Sequence, residues 1–125
     1  MQLNEKSKNN LKGVNSKLVD LVNLVAKNID TDLPGYTFII TEGLRTLERQ
    51  KQMVAEKKSK TMNSKHLTGN AVDIAVVKNG EVTWNFAEYK KVADVFKKYA
   101  KESGVSISWG GDWTNFKDGP HFELK

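Results

Sequence analysis

The 125 residues contain two histidines, and each stands a short distance from a carboxylate. His66 lies in Ser64-Lys65-His66-Leu67-Thr68-Gly69-Asn70-Ala71-Val72-Asp73, and His121 lies in Asp118-Gly119-Pro120-His121-Phe122-Glu123. Imidazole and carboxylate are the groups that hold a divalent zinc ion where thiolates are missing, and the chain has no cysteine. That absence also excludes disulfides and a cysteine nucleophile. His66, Asp73 and His121 would supply three ligands and leave a fourth tetrahedral corner for water, the arrangement of a catalytic rather than a structural zinc site. A single His near a single Asp is more often a hydrogen-bonded pair or a surface feature. Here one hypothesis accounts for both histidines.

The local pattern says how such ligands would be positioned. Ala71 to Val77 reads as a strand, in which side chains alternate between faces. Val72, Ile74 and Val76 would face a core, while Ala71, Asp73 and Ala75 share the other face. Two alanines beside Asp73 leave room above the sheet, and Gly69 lets the preceding loop turn so that His66 folds back over that room. In the second motif Phe122 and Leu124 alternate with His121 and Glu123, and Pro120 stiffens the approach. Asp118 would sit on a turn three residues before His121, where its carboxylate can take a proton from water and return it to a leaving amine. Without the histidine, Asp118-Gly119 reads as a plain turn. Asp112 and Glu123 compete as the acceptor that orients a ligand ring. Trp109 and Trp113 wall a cleft or fill the core, with packing favoured for at least one.

These segments need a scaffold. Leu18, Leu21, Val22 and Val25 recur at helical spacing from Ser16, a plausible N-cap, to about Asn28. Pro34-Gly35 breaks the chain, and Tyr36 to Ile40 reads as a strand. Thr46 to about Lys57 is a second helix, and Lys58 to Thr68 a polar loop. Asn79-Gly80 predicts a tight hairpin turn into a partner strand at Glu81 to Trp84. Phe86 to Ser103 carries the strongest helical stripe, closed by Gly104. Val105 to Trp109 and His121 to Leu124 complete the strands. The order predicts an α+β fold, a small, largely antiparallel sheet packed with about three helices. One domain covers residues 1–125, with 1–12 flexible or loosely packed.

Composition bounds the function. Hydrophobic residues make up 38% and charged residues 28%, as in an ordinary globular domain. The polar N-terminus has no apolar signal region, and no run approaches the ~18 apolar residues of a membrane span. The expectation is a monomer made in a cytoplasm, with no membrane insertion. The net charge of +5 suits an acidic polymer such as a cell wall as well as nucleic acid. The lysines are dispersed and form no compact arginine-aromatic patch, so nucleic acid is not an expected partner.

Ser64 to Asp73 resembles the SxHxxGxAxD motif of zinc D,D-peptidases and phage L-alanyl-D-glutamate endopeptidases. Trp109-Gly110-Gly111-Asp112-Trp113 followed by Asp118 to Glu123 resembles the second signature of that superfamily, and Gly43-Leu44-Arg45-Thr46 with Gln50 is similar to its arginine segment. The resemblance implies one zinc ion on His66, Asp73 and His121, with Asp118 as general acid/base. Arg45 matches an arginine that binds the substrate carbonyl as it becomes an oxyanion, against the simpler reading of a surface salt bridge. Ser64 is a further candidate for substrate contact. The implied activity is that of an endolysin: hydrolysis of the L-alanyl-D-glutamate bond in the bacterial peptidoglycan stem peptide. Such a protein accumulates in the host cytoplasm and reaches the wall when a separate factor permeabilises the membrane. The alternatives are a D,D-carboxypeptidase or dipeptidase acting on D-alanyl-D-alanine, and a non-catalytic zinc-containing wall-binding module.

Overall fold

A computed structural model describes residues 1–57, 64–115 and 117–125. Helix α2, Ser16–Asp32, forms because Leu18, Val22, Val25 and Ile29 recur on one stripe and are fully buried. Its cap is Asn15, one residue earlier than expected: the Asn15 side chain accepts from the Lys17 N–H, which places Ser16 in the first turn. Helix α4, Phe86–Ser103, is capped by Asn85 and ends at Gly104, whose φ of 72° is the left-handed value that closes a helix. Phe96 on α4 lies between Phe38 and Phe122, with ring centroids 5.4 Å and 4.5 Å away. This joins the helix to the sheet.

The sheet holds strands β1 (Tyr36–Glu42), β2 (Ala71–Lys78), β3 (Glu81–Thr83), β4 (Ile107–Trp109) and β5 (His121–Leu124). The path is β1-β2-β5-β4, and every pairing is antiparallel. β3 also pairs with β2, so β5 and β3 share one edge of that strand, β5 along Ala71–Asp73 and β3 along Val76–Lys78. Asn79 and Gly80 both have positive φ, 51° and 84°, as the expected hairpin turn requires. Alternation along β2 is as anticipated: Val72, Ile74 and Val76 are fully buried towards the helices, and Asp73 looks out on the other side.

Four α-helices are described rather than about three. The additional one, α1 (Glu5–Asn10), lies within the N-terminal twelve residues that composition suggested were loosely packed. Leu3 and Leu11 enter the core on either side of it. The Ser7 hydroxyl accepts from Ile40 N–H at 2.9 Å and Asn10 Nδ2 donates to Ile40 O at 2.8 Å, so α1 occupies the outer edge of β1. Six polar residues carry too short a pattern for helical periodicity to show, and the docking surface comes from elsewhere in the chain. Helix α3, Leu47–Ala55, begins after Thr46, its cap. The first part of the polar loop expected at Lys58–Thr68 lies outside the described residues; its end, Lys65–Thr68, is a 3-10 turn.

Candidate metal centre

Each of the three expected ligands is held by backbone built for it. The Ser64 hydroxyl accepts from His66 N–H at 3.2 Å and starts the 3-10 turn that lifts His66 over the sheet. Gly69 ends that turn at φ 74°, and a Cβ there would come within 2.5 Å of Gly13 O, so only glycine fits. His121, the first residue of β5, pairs directly with Asp73 on β2. The two rings meet edge to face, 5.0 Å between centroids. Asp73 Oδ1 lies 3.2 Å from His66 Nε2 and 3.0 Å from His121 Nδ1. Both histidines are buried, and potential ligand atoms of the three residues fall within 4.8 Å of one another.

The outer ring nitrogens define what the inner ones can do. His66 Nδ1 is 2.8 Å from Gly43 O, and His121 Nε2 is 2.8 Å from Glu123 Oε1. A carbonyl and a carboxylate only accept, so both outer nitrogens carry the hydrogen. A neutral ring then presents a bare lone pair inwards. Two such lone pairs and the Asp73 carboxylate face one small space, three acceptors that need either protons or a cation between them. The donor set therefore fits a divalent metal of borderline softness.

The choice between Asp112 and Glu123 falls to Glu123. Asp112 leaves the site and pairs with Lys97 Nζ at 2.6 Å near the surface. Glu123 is braced in turn by Lys65, whose Nζ stands 3.3 Å from Glu123 Oε2 and donates to Leu124 O. Lys65 thus ties the turn that carries His66 to the strand that carries His121.

Electrostatics follow from this crowding. With ring protons rather than a cation between the three groups, burial penalises the Asp73 carboxylate, but hydrogen bonds from His121 and His66 outweigh it and hold the carboxyl far below its ordinary range. Burial works against a charged His121 ring, yet the Asp73 hydrogen bond and charge prevail and raise its pKa above 6.5. Burial, and next the Asp73 charge, raise the Asp118 carboxyl above 3.8. By linkage, the His121 contribution to stability is fully present below about pH 6.5 and fades as pH rises through the folded value. The raised Asp118 acts in the same direction from its own range upwards. Asp73 contributes above about pH 4 and is lost below its depressed value. Chelator-stripped protein should therefore melt at falling temperature as pH rises above about 6.5, by about 3–5 °C for each kcal/mol lost. Thermal unfolding followed by circular dichroism checks this; a flat or rising profile would contradict the assigned contacts.

Arg45 is no surface residue. Its side chain is 4% exposed and binds Glu42 in two-pronged fashion, Nε to Oε1 and Nη2 to Oε2, both at 2.7 Å. Nη1 donates to Gln50 Oε1 at 2.6 Å and lies 3.5 Å from Ser64 Oγ. Nη2 stands 3.7 Å from Asp73 Oδ2. The guanidinium thus lies beside the centre, between Glu42 and Asp73. Glu42 reaches this position through a register shift in β1 between Ile40 and Glu42, which sets it opposite Asp73.

Asp118 is half-buried, its N–H donating to Gly110 O at 3.0 Å and its carbonyl accepting from His121 N–H at 3.2 Å. A side chain on Gly110 would bring a Cβ within 2.2 Å of Asp118 O, and one on Gly111 would strike the Trp109 ring. The glycine pair exists to let these segments close on each other. Trp109 is core, its Nε1 donating to Gly119 O at 2.7 Å. Trp113 is half-buried beside the centre, its ring 5.2 Å from that of His121. Sequence reasoning did not single out Glu42, Lys65 or the Gly43 carbonyl. Glu42 is three residues from Arg45, a spacing that hints at their pairing; the other two carry no such signal.

A family model described as phage L-alanyl-D-glutamate peptidase matches residues 1–125. The L-alanyl-D-glutamate peptidase of Listeria phage A118 is 35% identical over 112 residues, 87% of this chain and 38% of that protein. The L-alanyl-D-glutamate peptidase of Escherichia phage T5 is 36% identical over 98 residues, 75% of this chain and 71% of that protein. The chain thus spans well under half of the first relative and most of the second. The crystal structure of Serratia marcescens L-Ala D-Glu endopeptidase ChiX superposes with a TM-score of 0.88 at 38% identity, covering 100% of this chain and 90% of that one. A Zn(II) complex of the vancomycin-resistance D,D-pentapeptidase VanY matches at a TM-score of 0.61 and 19% identity over 89% of this chain and 72% of that one, a likeness of fold.

Proposed function

The chain belongs to the phage L-alanyl-D-glutamate peptidase family, and from that premise we propose that it is a zinc peptidase that hydrolyses the L-alanyl-D-glutamate amide of the peptidoglycan stem peptide. The observation that carries this reading is the convergence of His66, Asp73 and His121, with both outer ring nitrogens already committed to acceptors. These three residues would hold one zinc ion. When bound, zinc supplies Lewis acidity, drawing charge from a carbonyl oxygen and acidifying water.

The chain's own residues do the rest. Asp118 takes a proton from the attacking water as its oxygen adds to the alanyl carbonyl. As the carbon–nitrogen bond breaks, Asp118 returns that proton to the departing nitrogen of D-glutamate, which leaves an alanyl carboxylate and a free amine. Arg45 contributes a fixed positive charge beside Asp73, and its Nη2 is the group it can turn towards the developing oxyanion. Ser64, as the cap of the turn under His66, serves ligand placement at least as much as substrate contact.

Digestion of purified peptidoglycan followed by mass spectrometry tests the reading. The expected products end in L-alanine on the glycan side and begin with D-glutamate on the peptide side, and a chelator stops their appearance. Release of D-alanine instead, or cleavage indifferent to chelation, would overturn it. A second expectation concerns the brace behind His121. Glu123→Gln should weaken zinc binding about 10–100-fold, as loss of a ligand's outer partner does elsewhere. Lys65→Met should weaken it less, and in the same direction. Competition with a chromogenic chelator reads both; unchanged affinity in Glu123→Gln would remove Glu123 from the site.

A further inference from the structure

Among the described residues, the exposed large hydrophobic side chains are Leu44, Leu47, Val82, Trp84 and Phe86. The first two flank Arg45. The other three form a short stretch at the end of β3 and the start of α4, and their position is informative. Thr83 pairs with Val76, and Ile74 N–H donates to Pro120 O at 3.0 Å. β3 runs antiparallel to β2, so the chain leaves it at Trp84 heading along the shared edge towards Pro120 and His121. A methyl group on Gly119 would lie 3.4 Å from Tyr89 Cβ and 3.6 Å from Phe86 Cδ1. The aromatic stretch therefore abuts the loop that carries Asp118.

Trp84 is 67% exposed yet not loose. Its ring stacks on Tyr89, with centroids 6.0 Å apart and planes 11° apart. Tyr89 is buried, its hydroxyl accepting from Val76 N–H at 3.1 Å and donating to Thr83 O at 2.8 Å. One face of the indole is thus fixed and the other is open to solvent. Phe86 beside it is 43% exposed, and Lys117 Nζ lies 5.8 Å from its ring centroid. A rigid, solvent-facing indole suits a ring whose C–H bonds carry slight positive charge. A pyranose has that property.

We propose that Trp84 and Phe86 form a subsite for the N-acetylated sugar of the glycan strand, a conclusion that rests on the proposed cleavage of the L-alanyl-D-glutamate bond. Substrate connectivity supplies the occupant. The L-alanine of the stem peptide is joined through its nitrogen to the lactyl group of the muramic acid ring. One residue and a three-carbon ether separate sugar from scissile carbonyl, roughly 7 Å. An enzyme that cuts this bond must accommodate the sugar beside its centre, whereas one that cuts at the far end of the stem peptide need not.

Two measurements test the subsite. Hydrolysis of a muropeptide that keeps its disaccharide is compared with hydrolysis of the same stem peptide without sugar. Trp84→Ala should raise KM for the muropeptide about tenfold and leave the free peptide unchanged, while Trp84→Tyr restores most of the loss. Equal effects on both substrates, or on neither, would overturn the proposal. The peptide-free GlcNAc–MurNAc disaccharide is also titrated into isotope-labelled protein, where it should shift the Trp84 indole resonance. This arm needs no turnover, so silence at Trp84 defeats the subsite even if the peptidase reading stands. A shift at Trp84 without any hydrolysis supports the subsite and defeats the peptidase reading instead.

Discussion

Asp73→Asn should leave a folded protein that no longer retains zinc through dialysis and no longer releases peptide from peptidoglycan. The substitution keeps the shape of the side chain and removes its charge. Asp73 Oδ1 is the atom both histidines face, at 3.2 Å and 3.0 Å, so the loss falls at the middle of the ligand set. Zinc sites of four ligands bind with about 10–16 kcal/mol at neutral pH, so an equal share per ligand is about 2.5–4 kcal/mol, or roughly 10²–10³ in affinity. His121→Ala should do the same by a separate route, since it removes a neutral ligand and leaves Glu123 facing Lys65. Elemental analysis after dialysis gives the metal content, and circular dichroism confirms the fold. Stoichiometric zinc in both variants would place the metal elsewhere and remove the basis of the mechanism. The core should survive either change, because Val72, Ile74 and Phe122 hold the two strands from the opposite face.

How much of this was readable from the residues differs by kind. Ligand candidates were legible because strand alternation is local. Once Val72, Ile74 and Val76 are assigned inwards, Asp73 must point outwards, and Phe122 does the same for His121. Helix α4 was legible for a similar reason, its stripe and its closing Gly104 lying within one continuous stretch. Partner choice was not. Asp112 and Glu123 both lie near His121 in sequence, and only the β4–β5 pairing and the 3-10 turn at Gly110–Asp112 send the first towards Lys97 and keep the second on the site face. The environment of Arg45 was equally hidden. It depends on a register shift in β1, on a turn capped by Ser64 and on Gln50 from α3, three features that meet in space and not in sequence. Helix α1 escaped because its partner, the outer edge of β1, lies about thirty residues away.

Asp118→Ala should separate metal from chemistry: zinc content unchanged, kcat lower by about 10²–10⁴. Position makes the separation possible. Asp118 is tied by its backbone to Gly110 and to His121 N–H, contacts that alanine keeps, so the loop holding the ligand strand stays in place. What disappears is a half-buried carboxyl in the field of Asp73, whose raised pKa makes it a better proton acceptor than an ordinary surface aspartate. A base must be ionised to work, so activity of the unmodified protein should climb with pH through the Asp118 range and then level. Asp118→Glu, which moves the carboxyl by one methylene, should retain part of the activity and shift that acidic limb. Asp118→Ala should show no such limb in whatever rate is left. If Asp118→Ala instead loses zinc along with activity, the carboxylate belongs to the metal and not to the water. If the rate is unchanged, the proton is carried by another group, and Glu123, the next carboxylate along β5, is the first to replace.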